Sequence, residues 1–106
     1  MRTGTKAAEL RARLVRAHGL LRRAQGTGDA SAIAVADRRV EDLVKSLNAA
    51  YETQRLIKLA KARAKEARAA IGRALEIGNY ERARVQRGHF DAEMATVARL
   101  ELEAKR

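Results

Sequence analysis

The sequence has no cysteine, no proline and no tryptophan, and its aromatic residues are Tyr51, Tyr80 and Phe90 alone. Each absence removes a class of protein. Without cysteine there is neither a disulfide framework nor a thiolate ligand or nucleophile. With so few aromatic residues, a β-sheet has little to build on, and the stacking platforms of single-strand nucleic-acid binders are missing. No apolar run is long enough to cross a membrane. Met1 to Lys6 leads into a charged segment without the apolar core of a signal peptide. The expected location is the cytoplasm, or a particle assembled there, rather than secretion by a signal peptide.

Acidic residues are scarce too. Lys and Arg number 23 against 13 Asp and Glu, for a net charge of +10. The charge is uneven: residues 1–28 carry +6, 29–54 carry −2, 55–75 carry +6, and 76–106 are neutral. Two basic blocks thus flank a mildly acidic one, a balance suited to nucleic acid, an anionic surface or an acidic protein partner. Arginine outnumbers lysine seventeen to six among many alanines. Codon usage in a GC-rich genome accounts for part of that arginine excess, but not for the shortage of acids.

What is abundant is alanine. The hydrophobic fraction is 46%, but about half of it is alanine, which removes little apolar area from water when buried. The remaining residues are dominated by arginine, leucine, glutamate and lysine, all strong helix formers. An all-α chain with a thin core follows.

Three helices are expected, at about 5–25, 30–77 and 80–104, within a single helical domain spanning 1–106. In the first, Thr5 is placed to cap, and Ala7, Leu10, Leu14, Ala17, Leu21 and Ala24 alternate steps of three and four, giving one apolar stripe. Gly26-Thr-Gly-Asp29 breaks the chain, with Asp29 or Ser31 as the next cap. Ala36, Val40, Leu43, Leu47 and Ala50 resume the spacing. After a slip near Glu52-Thr-Gln54 it continues through Ile57, Ala60, Ala64, Ala67, Ile71 and Leu75. Gly78-Asn79 is the second break, and Phe90, Met94 and Val97 give the last helix its apolar face, which Gly88-His89 could interrupt. The helix lengths predict antiparallel neighbours along a long central helix, an extended arrangement rather than a compact bundle. Ala74 to Ala83 has the look of a helical-hairpin turn, but no 34-residue period of tetratricopeptide type surrounds it.

The stretch from Arg55 to Arg68, RLIKLAKARAKEAR, holds six cations and one acid. At 100° per residue, Lys58, Lys61, Lys65 and Arg68 fall within an arc of roughly 80° beside the apolar stripe. Such a row can meet successive phosphates, or its aliphatic stems can cover a helix–helix seam while the charges stay in water. On the first helix Arg16 and Arg23, seven apart, share the side away from the apolar stripe, and Arg11 adds a further cation. These residues with Arg55 are the candidates for binding a polyanion or an acidic partner, and Tyr51, Tyr80 and Phe90 are the candidates for packing against one.

No catalytic constellation is visible. Glu41 and Asp42 are adjacent and diverge on a helix, and the glycines at 26 and 28 lack the rest of a phosphate loop. His18 and His89 lie in different helices, so no metal site and no cofactor is expected. The reading is a non-enzymatic structural or adaptor subunit of a larger assembly. It docks on copies of itself or on other subunits through alanine-rich stripes and basic faces, and a minor structural protein of a phage particle fits this balance. The alternative is a small nucleic-acid-binding protein of nucleoid or regulatory type that contacts the backbone without reading sequence.

Overall fold

A computed structural model describes residues 6–105 of the chain. They form three helices and no strand: α1 (Lys6–Thr27), α2 (Ala30–Glu76) and α3 (Tyr80–Lys105). The expected boundaries hold to within two residues, and the cap expected at Thr5 lies outside the described residues. Neither Gly19, nor the slip at 52–54, nor Gly88-His89 interrupts its helix. With no proline to remove a backbone donor, isolated glycines weaken these helices without breaking them.

The chain divides into two compact units, one ending at Glu52 and the other beginning at Thr53. The first is a hairpin of α1 with the N-terminal half of α2. The second is a hairpin of the C-terminal half of α2 with α3. In each the helices run antiparallel. The first hairpin brings the start of α1 to the middle of α2, where Arg11 meets Tyr51. The second brings Lys61 to Glu101.

The two turns are built alike. Gly28 and Gly78 take the left-handed conformation, at φ of 71° and 73°, which only glycine adopts without penalty. Asp29 Oδ1 then accepts the Ser31 and Ala32 amides at 3.0 and 3.4 Å, and Asn79 Oδ1 accepts that of Arg82 at 3.1 Å. Asp29, not Ser31, is therefore the cap of α2. At the second turn the Asn79 amide donates to Ala74 O at 2.8 Å and that of Gly78 to Leu75 O at 3.1 Å, a Schellman pair. At the first, the Gly28 amide likewise donates to Gln25 O at 3.3 Å, and the Thr27 hydroxyl replaces the longer bond: it donates to Ala24 O and accepts from the Asp29 amide. A Cβ on either glycine would meet nothing within 4 Å. Gly28→Ala and Gly78→Ala should therefore each cost only the left-handed backbone penalty, about 1 to 2 kcal/mol. Urea denaturation of each variant checks this.

The buried apolar residues are mostly small. Seven of the eleven are alanine (Ala7, Ala17, Ala60, Ala64, Ala67, Ala74 and Ala83), beside Leu10, Val40, Val97 and Leu100, and no large side chain is fully enclosed. The three-four stripe of α1 faces its partner as its spacing requires. Two assignments are corrected. Leu75 is 50% exposed and Ala74 takes the seam position, while Met94 is 43% exposed and α3 turns Ala83, Phe90, Val97 and Leu100 inward. The cause is one of phase: 67, 71, 74 and 90, 97, 100 keep the alternating step, whereas 75 and 94 lie one position past it.

A period of fifty residues runs through these features. It relates Gly28 to Gly78, Asp29 to Asn79, Ala17 to Ala67, Ala24 to Ala74 and Val40 to Phe90. Charge follows the same period. In each hairpin the first helical segment carries a net five positive charges, and the second is neutral or one charge negative. Few residues are identical at this offset, so the repeat is one of register, turn and charge.

Candidate interaction surfaces

Each hairpin has two broad faces flanking its seam. On one face of the first hairpin Arg11 Nη1 donates to the Tyr51 hydroxyl at 2.6 Å, and its guanidinium carbon stands 5.9 Å from the ring centroid. Two residues expected to meet partners thus meet each other across the seam, hydrogen bond and cation–π contact together. Tyr51 keeps 41% of its surface exposed.

The opposite face of the same hairpin carries an open groove of about 470 Å³. Its floor is alanine, with Ala17 and Ala24 from α1 and Ala32 and Ala36 from α2, and its apolar lips are Leu20 and Val35. Small side chains at facing positions leave the depression, and the lips stand 52% and 73% exposed. Arg39 closes one end and the cap Asp29 the other. On α1, Arg16 and Arg23 lie one turn either side of Leu20, so they border the same face. Both are exposed, without an ion pair among the described residues.

In the second hairpin the row from 58 to 68 is exposed along its length. Its members differ in what they hold. Lys61 Nζ pairs with Glu101 Oε2 at 3.2 Å, whereas Lys58, Lys65 and Arg68 have no carboxylate in ion-pair range among the described residues. Arg63, which the sequence reading did not single out, is likewise unpaired, and Arg73 lies 3.6 Å from Glu66. Arg55 is exposed and is not free of a partner. Both partners of each pair are about half exposed or more, which limits the worth of each to a fraction of a kcal/mol.

Of the candidate packing rings, Phe90 is half-buried in its own seam, while Tyr80 is 71% exposed. Tyr80 stands with Leu75 and Ile77 around the Gly78-Asn79 turn, an apolar tip of three exposed side chains. Among the described residues no group of His, Asp and Glu gathers into a metal-binding cluster, and no helix is long and apolar enough to cross a membrane.

The sequence matches no protein-family model, and no curated protein or solved structure matches the chain.

Proposed function

We propose that the protein is a non-enzymatic assembly subunit that packs against copies of itself or other protein subunits. One observation carries the reading. Of the twenty-five Leu, Ile, Val, Met, Phe and Tyr residues described, twelve are exposed. Single exposed apolar residues are ordinary, but five of these twelve gather at two places, the lips of the groove at Leu20 and Val35 and the tip at Leu75, Ile77 and Tyr80. A two-helix layer with an alanine seam buries little, and a further layer would cover what it leaves open. The alanine stripes are largely consumed within the hairpins, apart from the open floor of the groove. The surfaces left for a partner are the larger side chains beside them.

A second reading has its own observation. Lys58, Lys65 and Arg68 share one arc of the helix and lack counter-charges among the described residues, an arrangement suited to a phosphate backbone. Sedimentation from micromolar to sub-millimolar concentration, beside anisotropy titration with random duplex DNA, separates the two. The assembly reading expects mass to rise with concentration or with added partner, and little DNA binding at about 150 mM salt, where the Debye length is about 8 Å. A monomer at every concentration that binds DNA under those conditions would sink it.

A further inference from the structure

We infer that the first hairpin joins copies of the chain head to tail: its alanine-floored groove receives the ridge of Asp37, Glu41 and Val44 on the opposite face of the next copy. The inference rests on the assembly reading and names the partner. Complementary charge supports it. The groove face is bordered by Arg16, Arg23 and Arg39, all exposed and unpaired among the described residues. The ridge presents Asp37 and Glu41, equally exposed and unpaired, with Val44 at 38% exposure one turn further along α2. Spacing of three and four residues places these three side chains in one row. An apolar knob beside two carboxylates thus has a socket bordered by three guanidiniums on the same hairpin, with Asp29, held in its capping bonds, at the socket's far end.

The second hairpin does not offer the same socket. At the fifty-residue offset Val35, Ala17 and Ala24 are kept as Val85, Ala67 and Ala74, but Leu20, Ala32 and Ala36 become Ala70, Arg82 and Gln86, so one lip is lost and half of the floor turns polar. This groove and this ridge, on opposite faces of one hairpin, make a heterologous contact. Such a contact propagates into a ring or a filament instead of closing as an isologous dimer.

The experiment uses three full-length chains in sedimentation velocity at about 150 mM salt, where distant like charges are screened and contacting pairs survive. The groove variant is Leu20→Gln with Val35→Gln, and the ridge variant is Val44→Lys. All three positions are exposed, so circular dichroism should show unchanged helicity. The wild type should grow in mass beyond two chains as concentration rises, to a fixed mass for a ring and without a plateau for a filament. Each variant should remain a monomer. Mixed in equal amounts, the variants should form a species of two chains and stop, because one supplies the intact ridge and the other the intact groove. The inference is overturned if the wild type is monomeric, if either variant assembles as the wild type does, or if the mixture stays monomeric. Assembly that survives both substitutions leaves the subunit reading standing and moves the contact elsewhere. A monomeric wild type that also ignores DNA leaves only a foreign protein partner.

Discussion

Ala64→Glu is expected to unfold the second hairpin. Ala64 is 3% exposed at the centre of a seam whose other members are mostly alanine. Glutamate is nearly as good a helix former as alanine, so the substitution leaves helix propensity almost unchanged. What it changes is the seam. A carboxylate there must be desolvated without a partner or must force the helices apart, and an uncompensated buried charge costs about 3 to 5 kcal/mol. Glu93, equally far from the turn on α3, is itself half-buried and adds like charge. A unit of about fifty residues has little more stability than that to lose. Ala62→Glu, two residues earlier on the exposed side, is the control and should fall within about 0.5 kcal/mol of wild type. Amide hydrogen exchange across 57–100 reads the effect directly, and protection retained in Ala64→Glu would show that the seam does not hold the hairpin.

The same seam explains what could be read in advance. Helix extents were legible because Gly28-Asp29 and Gly78-Asn79 combine a left-handed glycine with a side-chain cap, and local signals of that kind need no tertiary information. The stripe of α1 was legible because every member keeps the alternating step. Leu75 was misplaced because it is larger than its buried neighbour Ala74, and Met94 because the in-phase position beside it is the half-buried Glu93, which a hydrophobicity reading passes over. An apolar residue one position off phase outweighs alanine in a hydrophobicity reading, yet packing selects phase and small size. The fifty-residue period escaped for a related reason: it lives in turn position, register and charge, and hardly in residue identity.

The candidate surfaces were legible in part. The basic row was visible from residue spacing, since helical periodicity alone sets which side chains share an arc. Which cations remain unpaired depends on the partner helix, so the difference between Lys61 and its neighbours appears only once α3 is in place. The groove belongs to the same class. Its alanines come from two helices, and each set taken alone looks like ordinary stripe. Tyr51 was expected to face a partner; it also receives Arg11 across the seam, a contact that appears only once α1 is paired with α2, and 41% of its surface stays exposed.

That unequal pairing gives the basic row a sharp signature toward duplex DNA. Each phosphate contact adds about −0.9 to the slope of log affinity against log salt. Substituting Lys58→Gln, Lys65→Gln and Arg68→Gln together should shrink the slope's magnitude by about 2.7, a difference of roughly 40-fold in how much affinity is lost between 50 and 200 mM salt. Lys61→Gln alone should change the slope little, because Glu101 already sits 3.2 Å from that ammonium. Glu101→Gln should release it and steepen the slope by about one contact, and adding Lys61→Gln to that variant should cancel the gain. Salt-dependent anisotropy with random-sequence duplex measures all four. An unchanged slope in the triple variant would remove this row from any polyanion surface. The expected slope alone does not make DNA the partner, since any exposed cationic row behaves this way in dilute salt. Binding that persists at about 150 mM salt would put the second reading first, because backbone contacts alone fade steeply over that range and further contacts would have to hold the complex together.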